Sequence, residues 1–121
     1  MGVQINFPTA GVLSAPVTYA TGITAAGTLI AQGYNVIDPT AEFTVNLPLD
    51  PESGTAVIVK NISGDEDANP RSNTQIEVQV SGNGRNIAGA DTNIILDDNG
   101  TQTFIYTDYE INGVQYGWAI F

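Results

Sequence analysis

The sequence predicts an all-β fold: an antiparallel β-sandwich or small barrel of jelly-roll type, preceded by an extended N-terminal arm. Three observations carry this expectation. Apolar and polar residues alternate in "AEFTVNLP" and "IEVQV", the period of two that half-buried strands require. Asn-Gly pairs recur at Asn83-Gly84, Asn99-Gly100 and Asn112-Gly113. Type I′ hairpin turns need positive φ at both central residues, which Asn and Gly tolerate best. No ten-residue window carries the apolar stripe of an amphipathic helix.

The first charged side chain is Asp38, and the chain before it is rich in Ala, Thr and Gly. Residues 1–27 read as an extended arm with at most short strands, and residues 28–121 as the antiparallel β domain. Gly11, Gly22 and Gly27 interrupt any helical pattern, each costing about 1 kcal/mol relative to Ala in a helix. Low charge and scattered apolar residues speak against a disordered tail. Such an arm is expected to lie on its own domain, a sister subunit or a partner. Val3, Ile5, Phe7, Val12 and Leu13 are its candidate contact residues.

From Thr28 onward short β runs alternate with turn signals. "TLIAQGYNVI" predicts strands near 28–31 and 34–37, and "DPT" turns the chain. In "AEFTVNLP", Phe43, Val45 and Leu47 share one face; Pro48 and Pro51 end that strand. "GTAVIVKN" is a β-branched run suited to a central strand buried on both faces. "IEVQV" is expected to pair through Asn83-Gly84 with "RNIAG", and "TNIIL" through Asn99-Gly100 with "TQTFIYTDY". The last pair joins that strand to the terminal "YGWAIF", which should be tied into a sheet. The predicted core is Val36, Phe43, Val45, Leu47, Val57, Val59, Ile76, Val78, Val80, Ile87, Ile94, Leu96, Phe104, Tyr106, Trp118 and Ile120.

Composition excludes much chemistry. The 121 residues contain no Cys and no His. Disulfides, thiolate catalysis, Cys-ligated zinc and the usual neutral-pH general base are therefore absent. Thirteen acidic residues face three basic ones, Lys60, Arg71 and Arg85, for a net charge of -10. Nucleic acid, which needs clustered cations, and an anionic membrane surface are not expected partners. No apolar run of about 18 residues predicts a transmembrane helix, and no basic n-region predicts a secretory signal, so the protein is expected to begin near Met1.

Carboxylate pairs could support glycosidic cleavage. Asp65, Glu66 and Asp67, then Asp97 with Asp98, then Asp108 with Glu110, all fall in predicted turns or at strand ends, where acids are ordinarily solvated. Glu77 faces outward by its alternation. "SGDEDAN" lacks the order of an EF-hand loop, which leaves only a calcium site of another type open. "SGNGRNIAG" lacks the Lys and the following helix of a phosphate loop. Trp118, Tyr106, Tyr109 and Tyr116 could stack on sugars, but Trp118 reads as core and the Tyr residues as sheet-edge or interface groups. No catalytic residue, metal or cofactor is assigned.

From Tyr34 onward a series of short motifs stands in order: a strand ending Val45 to Pro48, "GTAVIVKN" at Gly54 to Asn61, "IEVQV" at Ile76 to Val80, "IAG" at Ile87 to Gly89, "TFIY" at Thr103 to Tyr106, and "GWAIF" at Gly117 to Phe121. This series resembles small β-structured virion proteins of tailed bacteriophages: head decoration (cement) proteins, head fibres and tail appendages. The resemblance spans about residues 34–121 and leaves out the arm. It implies a structural, non-enzymatic role as a homo-oligomer, commonly a trimer. The expected partner is the major capsid protein and the expected location the outer capsid surface of the virion, after synthesis in the host cytoplasm. The alternative it implies is a tail or fibre module binding a host receptor or glycan. The arm, extended by roughly 90 Å at about 3.3 Å per residue, would outreach a domain with a radius of gyration of about 14 Å.

Overall fold

The computed structural model describes residues 18–70, 74–80, 86–89 and 91–121. Nine strands and no helix make up the described chain: β1 (Thr18–Ile23), β2 (Gly27–Thr28), β3 (Gly33–Ile37), β4 (Phe43–Asn46), β5 (Ala56–Asn61), β6 (Ile76–Gln79), β7 (Asn93–Leu96), β8 (Thr101–Ile111) and β9 (Val114–Ile120). They form two sheets. Sheet A has the order β1-β3-β5-β8-β9 and sheet B the order β2-β4-β6-β7. Neither closes into a barrel.

Both sheets are mixed, which corrects the antiparallel expectation. β1, β3 and β5 run parallel, in register through Thr18–Gly33 and Gly33–Val57. β2, β4 and β6 also run parallel, through Gly27–Val45 and Phe43–Ile76. From β1 to β6 the chain therefore alternates between sheets, laying one strand in A and the next in B. The connections explain this path. None is a two-residue hairpin turn, and parallel neighbours need a crossover between them; here the crossover is the strand contributed to the other sheet. The last three strands join by antiparallel pairing. β7 pairs antiparallel with β6, β8 with β5, and β9 with β8.

Two hairpin expectations fail. "IEVQV" pairs with "NIIL" of β7, from Ile76–Leu96 to Gln79–Asn93, and not with "RNIAG". From that segment Ile87 instead makes isolated bridges to Asp91 and Trp118. Residues 81–85, where the first Asn-Gly pair falls, lie outside the described residues. Asn99-Gly100 joins β7 of sheet B to β8 of sheet A, so it is an inter-sheet turn, with Asn99 at φ 56°. Asn112-Gly113 is the expected hairpin. Both residues have positive φ, 53° and 79°, and Ile111 pairs with Val114 across them.

The two sheets share one core, in which Ile37, Val57, Val59, Phe104, Tyr106 and Trp118 of sheet A join Val45, Ile76, Val78 and Leu96 of sheet B. Phe43, Val80, Ile94 and Ile120 pack against it half-buried. Tyr106 and Trp118 meet edge to face, with centroids 5.3 Å apart, a favoured aromatic geometry.

Val36 corrects the predicted core. It lies half-buried on the opposite face of β3, and the core takes Gly33, Asn35 and Ile37 instead. Buried Asn35 is satisfied there: its Oδ1 accepts the Ile30 N–H at 2.9 Å, and its Nδ2 donates to the carbonyls of Ile30 and Ile58, each at 3.2 Å. Asn61, at the end of β5, ties the sheets together. Its Nδ2 donates to Thr74 O at 2.9 Å and to Leu96 O at 3.0 Å, and its Oδ1 accepts the Ser63 N–H at 3.0 Å. Buried polar groups persist where such partners exist.

Strand β1 falls within the segment read as an arm, so residues 18–23 belong to sheet A. At the other end the chain is fastened as expected: Phe121 N donates to Thr103 O at 3.0 Å, and Gln102 Nε2 to Phe121 O at 2.8 Å.

Candidate functional site

With no His and no Cys in the chain, acid–base work would fall to the carboxylates. Glu77 stands on the outer face of sheet B, since Ile76 and Val78 on either side point into the core. Its carboxylate accepts from Thr44 Oγ1 at 2.9 Å and from Asn93 Nδ2. These bonds, Asn93 first and Thr44 second, hold its pKa below the ordinary 4.5. Gln79 Nε2 donates to Asn46 Oδ1 at 2.7 Å on the same face. The face is thus a polar ladder whose members engage one another. A shallow depression of about 270 Å³ lies on it, lined by Glu42, Phe43, Thr44, Gln75, Glu77 and Ile95. A general acid needs a raised pKa; Glu77 has the reverse.

The loop acids have local duties too. Asp65 Oδ1 accepts the backbone N–H groups of Ala68 at 2.9 Å and Asp67 at 3.0 Å, an Asx turn. Those donors hold its pKa below the ordinary 3.8. Asp97 accepts from Gln75 Nε2 at 2.7 Å, and Asp38 from Asn69 Nδ2 at 2.7 Å. Among the described residues no three His, Cys, Asp or Glu side chains are grouped so as to hold a metal ion.

Three exposed apolar side chains gather at the end of the β8–β9 hairpin. β5 pairs with β8 only from Thr101 to Ile105, and β8 runs on to Ile111. Beyond Thr107 its ladder partner among the described residues is β9 alone, so a two-stranded ribbon runs on for about 13 Å past Thr107 at about 3.3 Å per residue. Its register shifts between Thr107 and Glu110. Such a bulge twists the ribbon and re-aims its side chains. Tyr109, Ile111 and Val114 are 63%, 46% and 50% exposed, with the exposed acids Asp108 and Glu110 on either side of Tyr109. A mostly apolar hollow of about 340 Å³ lies at the ribbon's flank, lined by Ala88, Gly89, Ile111, Asn112, Val114 and Tyr116.

The segment 86–89 fixes the base of that hollow. Asn86 O accepts the Trp118 N–H at 2.8 Å, Ala88 N donates to Trp118 O at 2.9 Å, and Gly89 N to Tyr116 O at 2.7 Å. The outer edge of β9 is therefore partly covered.

The arm residues Val3, Ile5, Phe7, Val12 and Leu13 lie outside the described residues. Of the aromatics weighed for sugar stacking, Trp118 and Tyr106 are core, Tyr116 is half-buried and Tyr109 is exposed. The projecting ribbon went unforeseen from sequence. Its signal was the length of "TQTFIYTDYEI" against its six-residue neighbour "AVIVKN", with "YEINGV" unable to find cover.

No protein-family model matches the chain, and no curated protein is significantly similar to it.

Proposed function

We propose that this is a non-enzymatic structural virion protein: a capsid decoration (cement) protein that sits as a homo-oligomer, a trimer by family resemblance, on the outside of a phage head and contacts major capsid protein subunits. Within this reading the two sheets pack as a sandwich that serves as a rigid base. The observation that carries it is the β8–β9 ribbon, which presents Tyr109, Ile111 and Val114 to solvent beyond the sheet. Tyr is among the side chains enriched as interface anchors, and contiguous exposed apolar groups mark interaction sites. The carboxylates support it by default, because several are engaged by turns or by side-chain amides.

The test is binding to expanded empty heads. Wild-type protein should saturate them, and a Tyr109→Ser/Ile111→Ser variant should lose occupancy at least about tenfold, the weight of roughly 1.4 kcal/mol. Absence of wild-type binding would sink the reading. The arm is tested by removing residues 1–17, since β1 begins at Thr18 and a cut at residue 27 would also remove a strand.

A second reading, a tail or fibre module binding a host receptor or glycan, draws on the exposure of Tyr109, whose ring is free to stack on a sugar. A glycan screen with Tyr109→Ala as control separates the two.

A further inference from the structure

Sheet A has a second face, turned away from the core. Strand alternation and register place Tyr34 and Val36 of β3, Ile58 of β5, Ile105 of β8, Ala119 of β9 and the adjoining Phe121 on it. Tyr34 pairs with Ile58, Ile58 with Thr103, and Ile105 with Ala119, so these residues form adjacent rows. None is fully buried, and Phe121 is 75% exposed.

The charge distribution decides what can cover this face. The chain carries thirteen carboxylates, and none lies on it. They sit in the connecting segments, on the outer face of sheet B at Glu77, and on the projecting ribbon. Among the described residues the charged side chain on this face is Lys60, whose Nζ is held by Asn99 O at 2.9 Å. Two copies approaching through the outer face of sheet B would set Glu77 against its counterpart, and through the acidic flank of the ribbon Asp108 and Glu110 against theirs; like charges facing one another across an interface are unfavourable. Through this side they meet with apolar and hydroxyl groups.

We infer that the outer face of sheet A is where a second copy of this chain packs, each copy turning Ile58 and Ile105 toward the symmetry axis. Four strands at about 4.8 Å spacing and five residues at about 3.3 Å give a patch of roughly 300 Å² in projection. A standard interface takes roughly 800 Å² from each partner, so the copies associate reversibly and their assembly depends on concentration. The inference deepens the proposed function by naming the surface through which copies associate. Its test uses no phage component, so the two can fail separately.

The experiment is sedimentation of the full chain over a concentration series. The wild type is expected to move from one chain mass toward a multiple of it. Ile58→Lys and Ile105→Lys are expected to stay at one chain mass throughout, with unchanged far-ultraviolet dichroism. These variants lower the net negative charge and would favour non-specific association, so loss of assembly points to the face itself. Ile58→Thr, which keeps a β-branched side chain, should weaken assembly without abolishing it. Ile95→Lys, on sheet B, should assemble as the wild type does. A wild type that remains one chain mass overturns the inference, as does assembly unchanged by Ile58→Lys. A chain that associates only after residues 1–17 are removed assigns the face to that segment and overturns it equally.

Discussion

The backbone oxygen of Asn86 lies 2.1 Å from the point where a Cβ on Gly117 would stand. That carbonyl is also the acceptor of the Trp118 N–H, so the close approach and the covering of β9 are one feature. Gly117 has φ +81°, a conformation that costs a side-chain-bearing residue about 1–2 kcal/mol before any clash. Gly117→Ala is therefore expected to destabilise the fold by more than about 2 kcal/mol, read by urea unfolding with Trp118 emission. Gly113→Ala is the contrast. Its φ is +79° with nothing within 4 Å, so strain alone acts, and its cost should stay near 1 kcal/mol. Equal costs would show that the Asn86 contact does not constrain β9.

Asn61 predicts a second sensitive position. Its amide serves Thr74 O and Leu96 O, and its carbonyl oxygen serves Ser63 N–H, all within the buried region between the sheets. Asn61→Ala leaves three buried polar groups without that partner. Leaving one such group unsatisfied costs about 1–3 kcal/mol, so a loss of at least about 2 kcal/mol is expected in the same assay. A smaller loss would mean that the sheets are not fastened here.

Acid should reach Glu77 before the core. Its folded pKa is depressed by the bonds from Asn93 and Thr44. The stabilisation it gives is present above the unfolded value near 4.5 and is lost as pH falls from there through the lower folded value. Glu77→Gln should melt below the wild type at pH 7, and the two should converge at pH values under both pKa values. Melting temperature against pH reads this directly; a gap that persists in acid would assign the effect to shape and not to charge.

The ribbon tip should be nearly silent for folding. Tyr109 and Ile111 are exposed and lie beyond the reach of β5. Tyr109→Ser/Ile111→Ser is expected to change stability by no more than about 0.5 kcal/mol, as for surface positions without buried partners. A large loss in urea unfolding would show that the tip is cover for the hollow beside Tyr116 and not a free anchor.

Strand identity was legible, because burial leaves its mark on each strand separately. Val45 between Thr44 and Asn46, and Ile76 and Val78 flanking Glu77, declared their faces by alternation. Partners were not legible. "IEVQV" carries the same pattern whether its neighbour is β7 or a segment beyond an Asn-Gly pair, and nothing in β3 says that β5 lies parallel to it. Asn35 shows a second limit. With Val36 read as core, Asn35 would face outward, yet two hydrogen bonds with Ile30 and one to Ile58 of β5 make its burial tolerable, and the phase of β3 follows Ile37 instead of Val36. The ribbon escaped notice because period-two alternation cannot say where a neighbouring strand stops.

The path that alternates between sheets sets the timetable of folding. No pair among β1 to β6 is joined by a tight turn, so each ladder there must close across an intervening strand, and such non-local closures are slow. The one short-range nucleus is the β8–β9 hairpin at the far end of the described chain. During synthesis from the N-terminus, β5 waits with a bare flank until β8 emerges, and open strand flanks of this kind invite mispairing. A nascent chain stalled before Thr101 should accordingly bind holding chaperones and remain protease-sensitive, with resistance arriving only once Ile120 has cleared the ribosome.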